Sequence, residues 1–348
     1  MVNVSKNKIL VIIGVLAVIL VLAFASFAFA KVDVGLTVNS AFCVSQIIDK
    51  EPANGKFLVT NVTVKNNGKD PITISTDQFT PMVNGKTVEK YSVFPGAGTD
   101  LQNQVQIPAG ASRDMVVVFD IGNQTPDALE FAGPIFWAPT YKNSTKISDV
   151  ASTALFDGLH DTNNIGMEMN TTMYGINITG ATNIKGTDSV QKTDDPDKMK
   201  FTTVENTSTI TNAMGQQNSQ NSVDNTTSTV DLKTGIDNNG TLEILPANMT
   251  KPGDSITTLN GVYTLAGSEK IDIMSKKVDC WVVNVQYKGD SSSGFNVNGT
   301  IYFDKTTRLP LKFVIKPQAV TVPGSSMPLT MQGQAEIVTT NLPIIGVA

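Results

Sequence analysis

Apolar positions follow two different patterns along this chain. Residues Ile9 to Ala30 form an unbroken, uncharged apolar run behind Lys6 and Lys8. As a helix, these 22 residues would rise roughly 33 Å, enough to cross a bilayer. From Lys31 onward the pattern has a period of two. Leu58, Thr60, Val62 and Val64 alternate with Val59, Asn61, Thr63 and Lys65, which predicts a strand with one apolar side. Asn66-Asn67-Gly68-Lys69 then supplies turn chemistry, because Asn and Gly tolerate positive φ. Ile72 and Ile74 begin another strand, and Asn84-Gly85 is a two-residue hairpin signal between Met82-Val83 and Thr87-Val88. After Pro108-Ala109-Gly110, the run from Met115 to Phe119 reads as a buried strand. Nothing between Lys31 and Lys146 has a helical period.

Farther along, Lys142 to Asp161 mixes polar residues with a short apolar patch, which places a domain boundary near Asp149. Asn206 to Asn225 is dominated by Asn, Gln, Ser and Thr. Such composition buries little apolar surface and predicts a mobile loop or hairpin tip. After Gly261 alternation returns. Trp281, Val283, Val285 and Tyr287 share one face of a strand, with Cys280 and Val282 on the other. Gly289 to Gly294 closes a hairpin, and Phe295, Val297, Ile301 and Phe303 continue with period two. Gly299 marks a twist or bulge point. Asp304 to Arg308 turns the chain, and Leu311, Phe313 and Ile315 return it. The predicted fold is therefore all-β. An immunoglobulin-like sandwich over residues 31–148 is followed by a curved, half-barrel-like antiparallel sheet over 149–348, behind the apolar segment 1–30.

Two stretches carry family resemblances. Phe57-Leu58-Val59-Thr60-Asn61-Val62-Thr63-Val64-Lys65-Asn66-Asn67-Gly68 resembles the signature strand and turn of a telokin-like, immunoglobulin-type family of exported prokaryotic proteins of unknown function. Ile107-Pro108-Ala109-Gly110 and the strand ending Phe119-Asp120 sit where that family repeats such a segment. The resemblance covers about 100 residues and implies a sandwich outside the membrane, often behind an N-terminal anchor. It implies no catalytic residue. The segments Gly267 to Ile271, Val278 to Val283, Gly299 to Asp304 and Arg308 to Lys312 resemble the C-terminal half of exported half-barrel proteins related to lipoprotein carriers. That resemblance implies an apolar cavity against a curved sheet, which in some members binds acyl chains. Lys276-Lys277 departs from it, standing where a small or glycine turn is usual. On this reading Trp281, Phe295, Phe303 and Phe313 would line the cavity. The competing expectation is that they are core, since any buried sheet requires apolar alternation.

Charge and composition narrow the setting. Two lysines before the apolar run and few basic residues just after it predict a cytoplasmic N-terminus with the bulk of the chain exported. The length of the run favours a retained single-pass anchor. Ala28-Phe29-Ala30 offers the alternative, a signal cleaved before Lys31. Net charge is −5, and Arg113 and Arg308 are the only arginines. No concentrated basic face exists to neutralise phosphates, so nucleic-acid binding is rejected. Cys43 and Cys280 fall in different predicted domains and read as buried thiols rather than a disulfide. Asn-x-Ser/Thr triplets recur at Asn61, Asn123, Asn143, Asn170, Asn177, Asn206, Asn225, Asn239, Asn248 and Asn298. Each permits glycan attachment where the host supplies the machinery, and an Asn- and Thr-rich chain also produces some by chance.

Catalytic chemistry is sparse. His160 is the sole histidine, and although Asp157 and Asp161 flank it, no Gly-x-Ser-x-Gly elbow accompanies them. Asp194-Asp195-Pro196-Asp197 lacks calcium-loop spacing and reads as an acidic turn between Lys192 and Lys198. No phosphate loop or dinucleotide fingerprint occurs. The expectation is a non-enzymatic cell-surface or envelope binding protein with no metal and no cofactor, whose partners are the membrane and an envelope component. The rival is a carrier or sensor of an apolar small molecule in the second domain. Mutual packing of Trp281, Phe295, Phe303 and Phe313 would disfavour the rival; an open pocket of ligand size would favour it.

Overall fold

The computed structural model describes residues 33–47, 50–53, 55–88, 105–133, 141–288, 296–320 and 329–344. The apolar run Ile9–Ala30, the Gly289–Gly294 turn and Phe295 lie outside the described residues. Among the described residues no helix is long and apolar enough to cross a membrane. They are nearly all β.

The first nine strands are β1 (Val34–Val44), β2 (Phe57–Asn66), β3 (Ile72–Ile74), β4 (Phe79–Val83), β5 (Lys86–Thr87), β6 (Val105–Ile107), β7 (Ser112–Asp120), β8 (Ala128–Ala132) and β9 (Lys142–Lys146). They form a three-stranded sheet β1-β2-β7, a four-stranded sheet β5-β4-β8-β9 and the pair β3-β6. The alternation in β2 does what its sequence predicts. Leu58, Val62 and Val64 join Met115, Val117 and Phe119 of β7 and Phe79, Leu129 and Phe131 of the facing sheet in one core. A bulge between Val38 and Ser40 shifts the parity of β1, so Leu36 and then Ala41 and Cys43 reach that same core. Asn84 and Gly85 both have positive φ, 49° and 74°, as a type I′ hairpin turn requires. Asn66 is fully buried because its amide ties the turn together, donating to Asp70, Ile107 and Pro108 carbonyls and accepting from Gly68 N.

The outer face of β1-β2-β7 is apolar too. Phe42, Val44, Phe57, Val59 and Val118 pack against Leu155, Phe156 and Leu159 of the connecting segment and against Val190, Met199 and Val230 of the second sheet. This shared cluster is why β2 is buried on both sides over Phe57 to Thr60.

The second sheet comprises β10 (His160–Met173), β11 (Ile176–Lys192), β12 (Lys198–Ala213), β13 (Gln216–Asp231), β14 (Ser255–Thr257), β15 (Gly261–Ile273), β16 (Lys276–Lys288), β17 (Asn296–Asp304), β18 (Pro310–Val320) and β19 (Leu329–Thr340). These ten strands make one curved antiparallel sheet in the order β13-β12-β11-β10-β19-β18-β17-β16-β15-β14. Of the two readings offered for Asn206 to Asn225, the hairpin tip holds and the loop does not. The stretch forms most of the β12–β13 hairpin, paired without interruption from Lys198↔Asp231 to Ala213↔Gln216 around a Met214-Gly215 turn. Thr and Ser are compatible with strands, and ladder hydrogen bonds hold an edge hairpin that buries little side-chain surface. Gly299 is not a bulge either. It pairs with Val285 in a continuous β16–β17 register, and the break lies instead between Tyr302 and Phe303 against β18. Cys43 and Cys280 are buried free thiols, as the sequence suggests.

Candidate functional site

A cleft of about 520 Å³ lies against one face of the large sheet. Its acidic residues arrive there through hairpin register. The turn at Tyr174-Gly175, both of positive φ, fixes β10 against β11 so that Asp161 faces Asp188 and Asn163 faces Gly186. Thr203, opposite Asp188 on β12, continues the same face. Asn163 Nδ2 donates to Asp188 Oδ2 at 2.8 Å, and Thr203 Oγ1 donates to Asp188 Oδ1 at 2.5 Å.

The segment 232–254 supplies the other wall. Asp237 shapes it by accepting from the backbone N–H groups of Asn239 and Thr241. Gly235, at φ +71°, passes so close to the Ile244 carbonyl that a Cβ would lie 2.1 Å from it. Leu242, Leu245 and Met249 then bury against Tyr263, Val283, Val285 and Phe303 of the sheet. Arg308 fastens this segment down. Its Nε donates to Leu245 O at 2.7 Å, and its Nη2 donates to Pro246 O at 2.5 Å and Met249 O at 2.9 Å. Burial lowers the Arg308 guanidinium to about 10, still charged at neutral pH. Arg308 itself sits at φ +61° because Asp304 caps the turn, accepting from Thr306 N, Thr307 N and Thr307 Oγ1.

Glu243, carried into the cleft by this segment, rises from 4.5 to about 7, chiefly through burial and then through the charges of Asp237 and Asp188. Asp161 is held well above the ordinary carboxylate range by burial and by the Asp188 charge. Together with Asp188 they make a carboxylate-rich, partly protonated region. Ile301, Leu309 and Phe313 contribute apolar surface to the same cleft. Tyr287 also lines it, with its ring between those of Tyr263 and Phe313 at centroid distances of 6.1 and 5.9 Å, both edge-on. Among the described residues no group of three His, Cys, Asp or Glu has metal-holding geometry.

Trp281, Phe303 and Phe313, singled out in the sequence, belong to one packed cluster, and Phe313 also lines the cleft. Phe303 is fully buried in the core beneath the covering segment, and Trp281, its direct cross-strand partner, packs on that core. The Trp281 ring lies 4.8 Å under Lys305 Nζ, which forms a buried ion pair with Asp279 at 3.3 Å. His160 is exposed at the start of β10, its Nδ1 3.3 Å from Gly158 O. Asp195 and Asp197 occupy a turn and pair with Lys198 and Lys233. Asp161 is noted in the sequence only as a neighbour of His160, and Asp188 and Glu243 escape a sequence reading because they are widely spaced and carry no local motif. The positive-φ pair Tyr174-Gly175 is the signal that could have placed Asp161 and Asp188 face to face.

Comparisons with known proteins are sparse. Residues 29–142, less than half of the chain, match the family model described as a domain of unknown function, DUF4352. That description names no telokin-like or immunoglobulin-type family. No curated protein matches the chain. Among solved structures, a Bacteroides fragilis protein described as exported and having a YmcC-like fold is similar at 11% identity, covering 53% of this chain and 96% of its own, with a TM-score of 0.28. A DUF1329 family protein from Desulfovibrio piger aligns at 12% identity over 51% of this chain and 85% of its own, with a TM-score of 0.17. A Vibrio parahaemolyticus domain described as an outer membrane lipoprotein-sorting protein domain aligns at 10% identity over 53% of this chain and 86% of its own, with a TM-score of 0.13. At such scores the fold description rests on the strand pairing of this chain itself.

Proposed function

We propose that this is a non-catalytic binding protein of the cell exterior, held at the membrane by Ile9–Ala30, whose second sheet carries a small ligand with an apolar tail. The cleft is the observation behind this reading. Its 520 Å³ falls within the roughly 300–1,000 Å³ typical of small-molecule sites. Its lining combines Ile301, Leu309 and Phe313 with the carboxyls of Asp161, Asp188 and Glu243. Such a lining suits an amphiphile whose head donates hydrogen bonds, an amine or a hydroxyl. Lys6 and Lys8 before the apolar run support export of the remainder. Both sequence resemblances are to exported proteins, and the lipoprotein-carrier-like one favours carriage of an apolar ligand.

A non-catalytic role also accords with how the polar groups are used. Asp188 accepts from Asn163 at one oxygen and Thr203 at the other, so hydrogen bonds within the sheet hold it in place. His160 is exposed, and its Nδ1 lies beside the Gly158 carbonyl at 3.3 Å. The test is titration with a fluorescent long-chain amine. Saturable binding that Ala335→Trp, filling the cleft, removes without unfolding supports the reading. Equal binding by both proteins contradicts it, as does a hydrolytic activity lost on Asp188→Asn.

A further inference from the structure

Five Asn-x-Ser/Thr triplets lie inside strands of the large sheet, at Asn170, Asn177, Asn206, Asn225 and Asn298. Strand register puts all five on one face. Asn170 stands opposite Thr179, and Thr172 opposite Asn177, so two triplets interlock across β10 and β11. Lys185, on the same face as Asn177, pairs with Asn206. Asn206 pairs with Val223, and Val204 with Asn225, which carries the face to β13. In the other direction Asn164 pairs with Glu336, Glu336 with Lys312 and Lys312 with Tyr302, whose face Asn298 shares. Asp161, Asp188 and Phe313 belong to the opposite, cleft-bearing face. The period of two also sets each triplet's hydroxyl beside its own asparagine.

All five asparagines are exposed. Their surroundings differ from those of two other triplets. Asn143 spends its Nδ2 on Val34 O at 2.8 Å, and Asn239 spends its own on Asp237 Oδ2 at 3.3 Å. Asn177 uses only its Oδ1, accepting from Thr172 Oγ1 at 2.8 Å.

We propose that this face is an N-glycosylated surface, an inference that rests on the export reading above. The donor is a lipid-phosphate-linked oligosaccharide. The asparagine Nδ2 forms a bond to the sugar's anomeric carbon, the anomeric carbon–oxygen bond to phosphate breaks, the lipid phosphate leaves with the electron pair, and the amide gives up one proton to a base. Asn225 is the leading acceptor, because β13 is an edge strand and its backbone is approachable from the side. A glycan there has a physical use. Gln216 to Thr227 is exposed throughout, rich in Asn, Gln and Ser, and among the described residues its ladder is paired on one side only. Such edges template pairing with other chains, and bulky sugars obstruct it.

The experiment is peptide mass spectrometry on the full chain recovered from the exterior fraction of its own host. The expected result is glycan on the Asn225 peptide and on others of the five, with the Asn143 and Asn239 peptides bare. Thr227→Val, which keeps the strand shape and the asparagine but removes the hydroxyl, is expected to delete the Asn225 increment alone. Chain recovered outside the cell with all five peptides unmodified overturns the glycan proposal while leaving export standing. Chain confined to the cytoplasm overturns both.

Discussion

A Cβ built on Gly299 would lie 2.2 Å from Cε2 of Phe313. The glycine is therefore there for space. It lets the Phe313 ring lie flat across β17 and reach both Tyr287 and the cleft. Gly299→Ala forces the ring to move, and overpacking of this kind costs about 1–3 kcal/mol. The expected outcome is a lower Tm together with weaker amphiphile binding, and Gly299→Ala combined with Phe313→Leu restores the Tm but not the binding.

Arg308 holds the covering segment through three carbonyls. Arg308→Met leaves them without their buried donor, at about 2–4 kcal/mol in total. Limited proteolysis checks where the effect falls. New cleavage is expected within 232–254 before the sandwich strands are attacked.

Glu243 makes stability depend on pH. Its folded value of about 7 lies above its ordinary 4.5, so between those pH values the folded chain holds a proton that the unfolded chain has lost. Its contribution is therefore complete below about 4.5, is lost as pH rises to 7, and stays flat above that. Asp161, also raised, acts in the same direction. Glu243→Gln is expected to be more stable than the parent at pH 8 by on the order of 1–3 kcal/mol and equal to it near pH 4. Urea unfolding of both proteins at the two pH values measures this.

Burial pushes both cysteine thiols up, which suppresses the reactive thiolate. Thiol reagents at pH 8 are expected to label neither Cys43 nor Cys280 in the folded chain and both after denaturation, with no reductant needed. Labelling that appears only after reduction would mean a disulfide.

The sandwich was legible where one strand face is apolar and the other polar, as in the second half of β2, and not over Phe57 to Thr60, where both faces are buried. Val62 and Val64 against Thr63 and Lys65 state the register of β2 almost by themselves. The half from Asn163 to Thr229 was harder. Its strands carry Thr, Asn and Ser on both faces, and Asn206 to Asn225 offers no apolar period to separate strand from loop. Only its turns announce it, at Tyr174-Gly175 and Met214-Gly215. Trp281, Phe303 and Phe313 were legible as strand residues but not as core or lining. Whether Phe303 or Phe313 meets the cleft is decided by where Arg308 lays the covering segment, a contact between residues about 60 positions apart in sequence.

The most direct test of the carrier reading is native mass spectrometry of the chain purified from the exterior fraction of its own host, beside the Ala335→Trp variant. The account predicts excess mass on the parent that is lost on denaturation, differs from any covalent glycan and is absent from the variant. A parent whose native and denatured masses agree, and which takes up no long-chain amine, would contradict it.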